Sequence, residues 1–249
     1  MMQKRFLLAG LAVAVLAWVD SSALAQSSLV PFSKATGDKP PAPWRAKGLP
    51  KGRAPLASFD IVTLDGTKVL RLHTEKTYGT VVHDLDNFTP TLNTTLKWRW
   101  RLDEPVTNAN LRVKAGDDAA LKVCVLFDMS TDGLTFSDRV VLGLARTVFG
   151  EDLPAATLCY VWDLTLPAGT LLNNAHTKRI RYWVLDGKGS EGSMGTWKSH
   201  ERHIAQDFIK AFGTESTDVP PVAAIAAGAD SDSTKSTSLG YVGDISLAP

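Results

Sequence analysis

The sequence predicts an all-β fold, a two-sheet β-sandwich or jelly roll with one short helix, and three observations carry that prediction. The stretch Leu96-Lys97-Trp98-Arg99-Trp100-Arg101-Leu102-Asp103 alternates strictly, which puts four large apolar groups on one face of a strand and charges on the other. Two neighbouring indoles bury so much surface that they need a second layer, and a second sheet is the most economical one. Short β-rich runs recur along the chain between Gly, Asp, Asn and Pro clusters, the spacing expected of a sandwich.

The chain begins with Lys4 and Arg5, an apolar run over residues 6–19 and the small-residue pattern Ala23-Leu24-Ala25. These are the three parts of a cleavable secretory signal over residues 1–25. The run is shorter than the roughly 20 residues that spanning needs, so no membrane span is expected after cleavage, and the predicted location is periplasmic or secreted. Formal net charge is +1 for the whole chain, which argues against nucleic acid as a partner because such proteins concentrate basic surface.

Residues 26–56, rich in Pro, Gly, Lys and Ser, read as an extended arm anchored by Phe32 and Trp44. A single β-sandwich domain is expected over residues 57–249. It opens with a hairpin in which Asp65-Gly66 supplies the turn, a dipeptide that tolerates positive φ. Further strands are expected at residues 80–83, 92–102, 121–127, 139–145, 157–162, 180–185, 196–203, 222–227 and 239–247. Ile204, Phe208 and Phe212 recur at four-residue spacing before Gly213, which predicts the short helix and its stop.

Cys124 and Cys159 are the only cysteines. In an oxidising compartment they form either a disulfide or two buried thiols, and spacing alone does not decide between them.

Gly187-Lys188-Gly189-Ser190-Glu191-Gly192 matches a dinucleotide-binding fingerprint literally. Another strand follows it in place of a phosphate-binding helix, so it reads as a hairpin loop. His200-Glu201-Arg202-His203 has the wrong spacing for a zinc helix and reads as polar strand. Asp230-Ser231-Asp232-Ser233-Thr234 alternates oxygen donors, so Asp230 and Asp232 are candidate ligands for Ca2+, against the competing reading of a plain Asx turn. No other cofactor is expected.

The ordered set of Trp98-Arg99-Trp100-Arg101, Gly116-Asp117-Asp118, residues 158–162, Trp197 with Glu201-Arg202, Asp230-Ser231-Asp232-Ser233-Thr234 and Gly240-Tyr241-Val242-Gly243-Asp244 resembles domain-of-unknown-function family 3047 of exported bacterial proteins. The resemblance runs from about Trp44 to the C-terminus. It implies a jelly roll similar to galactose-binding-like domains and no established activity. Ser233 and Lys235 depart from the residues usual there.

Two functions are expected from different classes. One is a non-catalytic module that binds a polysaccharide or envelope glycan. Tyr160, Trp162, Trp183 or Tyr241 would stack on sugar rings, and Arg99, Arg101, Asp118 and Arg202 would supply polar contacts. The other is a glycan-cleaving jelly roll drawing a carboxylate pair from Asp118, Asp128, Glu201 and Asp230. A third use of Asp118 is internal, as an ion pair with Arg99 or Arg101.

Overall fold

The computed structural model describes residues 29–49, 52–131, 139–140, 143, 154–216 and 218–248. The predicted signal peptide therefore lies outside the described residues. The strands are β1 (Arg45–Lys47), β2 (Ser58–Leu64), β3 (Thr67–Glu75), β4 (Tyr78–Phe88), β5 (Thr95–Glu104), β6 (Leu121–Phe127), β7 (Ala156–Trp162), β8 (Leu171–Asn173), β9 (Ile180–Asp186), β10 (Lys198–His203), β11 (Val222–Asp230), β12 (Thr237–Val242) and β13 (Ser246–Ala248). The helix α1 spans Ile204–Phe212.

The strands form two sheets. One has seven strands in the order β1-β4-β11-β6-β7-β9-β8, and the other has six, β10-β5-β12-β3-β2 with β13 also paired to β5. The β7–β9 pair is parallel. This is the sandwich that the alternation of residues 96–103 predicts.

Strand β5 carries its tryptophans inward, Trp98 at 4% and Trp100 at 0% exposure. They meet the aromatics of β7 across the interface, Trp98 at 5.2 Å from Tyr160 and Trp100 at 6.1 Å from Trp162. Tilted rings at such separations gain more than buried area alone. Asp186 accepts the Trp100 indole N–H at 2.7 Å, so the innermost indole loses no hydrogen bond on burial.

The β2–β3 hairpin turns at Asp65 (φ 51°) and Gly66 (φ 76°), the two positive angles that a type I′ turn requires. Ile204, Phe208 and Phe212 of α1 are buried. Gly213 ends the helix with its N–H on the Ile209 carbonyl at 2.8 Å, an approach so close that a Cβ there would lie 2.3 Å from that oxygen.

Three expectations change. The arm is more ordered than its composition suggests: Phe32 and Trp44 are buried, and β1 pairs with the edge of β4. The expected strand at residues 139–145 lies mostly outside the described residues, and its described members Arg139, Val140 and Gly143 are helical. The loop at Gly187 is no hairpin, since it leads from β9 in one sheet to β10 in the other.

Candidate functional site

Strand β6 shows how the sequence builds a second working face. Leu121, Val123, Val125 and Phe127 point into the sandwich core, so Lys122, Cys124 and Leu126 must point out from the other side of the seven-stranded sheet. That side is also apolar, with Val82, Cys124, Cys159, Tyr182, Ala224 and Ala226 buried in a second cluster. Above it lies a cleft of about 870 Å³, within the range of small-molecule sites. Cys124 and Cys159 are directly opposed in the β6–β7 register and form a disulfide in the floor of the cleft. Of the two alternatives the sequence leaves open, the structure has the bridge.

One end of the cleft gathers buried charge. Lys122 is 4% exposed and passes over Gly228, where a Cβ would come within 3.1 Å of the lysine Cε. Its ammonium reaches Asp230 Oδ2 at 2.7 Å and stands 4.7 Å from the Tyr78 ring centre. Asp230 Oδ1 accepts the Ala119 N–H at 2.6 Å. Burial lifts the Asp230 carboxyl to about 7; Lys122 draws it down and the Asp118 carboxylate pushes it back up.

Asp117 follows a short 3-10 turn, Lys114–Gly116. Its Oδ2 accepts the Asn174 amide at 2.5 Å, and the same amide nitrogen donates to the Tyr182 hydroxyl at 2.9 Å. His176 Nε2 lies 3.7 Å from Oδ2. Asn174 is fixed by accepting the backbone N–H groups of His176 and Thr177. Asp117 Oδ1 is buried and has no hydrogen-bond partner among the described residues. Burial raises the Asp117 carboxyl and the Tyr182 phenol above their ordinary values, with Lys122 opposing the rise at Asp117. A desolvated carboxylate oxygen without a donor is costly.

Of the residues that sequence reasoning singled out, Asp118, Asp230 and Asp232 come together at this end of the cleft, and the others lie elsewhere. Arg99 packs over Trp197 at 4.5 Å and Arg101 pairs with Asp103 at 2.6 Å, both on the outer side of the six-stranded sheet. Neither pairs with Asp118, which corrects the expected internal pairing: Asp118 accepts the backbone N–H groups of Ser233 and Thr234 at 3.1 and 2.6 Å and so closes the β11–β12 turn. Tyr160 and Trp162 are 0% and 1% exposed, core residues with no face open to a sugar. Arg202 holds Asp207 through two hydrogen bonds at 2.7 and 2.8 Å, and Asp207 also accepts the Tyr160 hydroxyl at 2.7 Å. Of the four proposed catalytic carboxylates, Asp118 and Asp230 are neighbours, whereas Glu201 pairs with Lys97 at 3.0 Å on the other sheet.

Asp230, expected with Asp232 as a calcium ligand, already has a cation beside it. The Lys122 ammonium already holds Asp230, and no group of three or more His, Cys, Asp or Glu side chains among the described residues could hold a metal ion. The polar cleft residues that sequence reasoning missed include Tyr78, Lys122, Asn174 and Tyr182. The one signal for them was Lys122, a lone charge inside an otherwise apolar strand.

The family model described as "Protein of unknown function (DUF3047)" matches residues 42–246. The chain belongs to this family. No curated protein matches it. Among solved structures, DUF3047 as represented by this chain is similar to endoglucanase 3 of family GH12 from Trichoderma harzianum, at 10% identity and TM-score 0.40, covering 84% of this chain and 98% of that one. It is also similar to the xyloglucanase domain of NopAA from Sinorhizobium fredii, at 9% identity and TM-score 0.39, covering 83% and 98%. A third is the adhesin domain of Lys-gingipain from Porphyromonas gingivalis, at 9% identity and TM-score 0.36, covering 88% and 95%. No helix among the described residues is long and apolar enough to cross a membrane.

Proposed function

We propose that this member of the DUF3047 family is an exported, non-catalytic glycan-binding module that seats a saccharide in the cleft of the seven-stranded sheet. The observation that carries the reading is the cleft's amphipathic lining. Ala224, Ala226 and the disulfide make a low apolar floor, while Asn174, Tyr182, Lys122 and the unpaired Asp117 Oδ1 converge at one end. A sugar ring has matching parts, an apolar C–H face and equatorial hydroxyls that donate and accept at its rim. The disulfide supports export, since such bonds persist in oxidising compartments.

The test is a thermal-shift screen against cell-wall and capsular oligosaccharides, run on the natural chain and on Ala226→Trp, which fills the floor of the cleft. A ligand at about 100 times its Kd stabilises by about 2.7 kcal/mol. At least one saccharide is expected to raise Tm in the natural chain and not in the filled variant, with no new reducing ends released. If no saccharide shifts the melting curve, the reading falls. Reducing ends that accumulate and vanish with Asp117→Asn would replace binding by hydrolysis.

A further inference from the structure

The charged end of the cleft holds more carboxylate than cation. Asp117, Asp230 and Asp232 line it, and Asp118 stands behind them with both oxygens on backbone amides. The buried cation among them is Lys122, and it is engaged by Asp230 and by the face of Tyr78. His176, also on the cleft, brings its imidazole Nε2 to 3.7 Å from Asp117 Oδ2, and the other basic residues there, Arg45, Lys47 and Arg53, belong to β1 and its surroundings at one edge of the sheet. Asn174 and His176, which flank Asp117, come after β8 at the opposite edge. Arg45 is moreover paired with Asp84 at 2.7 Å.

The independent observation is Asp117 itself. Its side chain is 5% exposed, one oxygen is satisfied by Asn174, and the other has no partner among the described residues. A sugar hydroxyl would supply a neutral hydrogen bond there and no charge. An ammonium group supplies up to three donors and a positive charge beside the Asp117 and Asp232 carboxyls together, and charge-assisted bonds are about twice as strong as neutral ones. No group of three or more His, Cys, Asp or Glu side chains among the described residues could hold a metal ion there instead.

We propose that the saccharide bound in this cleft is an amino sugar carrying a free, unacetylated ammonium group, directed at Asp117 with Asp232 beside it. The inference rests on the glycan-binding reading and narrows its ligand class. Burial raises the carboxyls of Asp117 and Asp232 above their ordinary values, as expected of acids whose counter-charge arrives with the ligand.

Three disaccharides that differ only at C2 test it: β-1,4-linked glucosamine disaccharide, its di-N-acetyl counterpart and cellobiose, titrated calorimetrically into the full chain. The ammonium form is expected to bind about tenfold or more tightly than either neutral form, the factor that one charge-assisted hydrogen bond supplies. Salt should weaken it selectively, and Asp117→Asn should abolish its advantage over the two neutral forms. Should that variant not fold, Asp232→Asn, at a half-buried position, takes its place, and the ranking on the natural chain decides alone. If a neutral disaccharide binds as tightly, or if none of the three binds while another saccharide in the screen does, the ammonium inference is overturned and glycan binding stands. If nothing in the screen binds, both fall.

Discussion

A single backbone step separates two aspartates with different lives. Asp118 ties down the turn after β11, while Asp117 lines the cleft and keeps one buried oxygen unpaired among the described residues. The Gly-Asp-Asp run is visible in the sequence, but which carboxylate faces a cavity depends on the local turn, and no periodicity reports that. Lys122 is legible in principle, because a charge amid Leu121, Val123, Cys124 and Val125 must have a buried partner. Its partner, Asp230, is 108 residues away, and only the β6–β11 pairing brings them together. The pair leaves a signature in the pH dependence of stability. Asp230 titrates near 7 when folded and near the ordinary carboxylate value of 3.8 when unfolded. Between those values the folded chain binds the extra proton, so this contribution is full below about pH 4 and is lost as pH rises through about 7. Asp117, also raised, acts in the same direction. The expected slope is at most about 1.4 kcal/mol per pH unit for one proton. Urea midpoints measured from about pH 4 to 8 should show Asp230→Asn flattening that slope, and identical slopes would refute the assignment.

At the level of strands the sequence is most informative where alternation is long. The alternating residues 96–103 lie in β5, because a half-buried strand cannot change phase without turning its apolar set outward, and the near-continuous apolar runs at 121–127 and 222–227 lie in β6 and β11, strands covered on both faces. Short edge strands such as β8, three residues long, leave no such pattern, since pairing to one neighbour holds them. The apolar segment at residues 139–145 shows the converse: a run too short to reveal its period suggests a strand, and its described members are helical. The β6–β7 pair carries the disulfide. Cys124 and Cys159 are 35 residues apart, and closing a loop of that length in the unfolded chain is worth about 3–4 kcal/mol. Replacing both with alanine should therefore lower the urea-derived stability by about that amount, and dithiothreitol should have little further effect on the variant. A double variant as stable as the oxidised natural chain would show that the sheet alone holds these strands in register.

For the molecule as a whole, the boundary between arm and domain is the point on which sequence and structure differ most. Composition separates residues 26–56 from the β-rich remainder of the chain, because Pro, Gly and Ser do not build sheets. The structure joins them through a few large side chains. Phe32 is 0% exposed and Trp44 5%, their rings 4.8 Å apart, and the Trp44 indole N–H is satisfied by the Val30 carbonyl at 2.7 Å. Ser33 donates to Asp244 through its backbone N–H and hydroxyl at 2.8 and 2.6 Å, which ties the arm to the segment between β12 and β13. Strand β1 covers the outer edge of β4, and an uncovered edge is a site for intermolecular pairing. Each buried aromatic of this size costs about 3–5 kcal/mol when removed, against a total stability of about 5–15 kcal/mol. Relative to chains beginning at residue 26 or 29, a chain beginning at residue 50 should therefore lose most of its stability and self-associate. Phe32→Ala isolates the packing part of that loss, with an expected cost of about 3–5 kcal/mol by urea denaturation. If the chain beginning at residue 50 unfolds at the same urea midpoint as the longer ones and stays monomeric, the arm is an appendage, and its side of the cleft must be built without it.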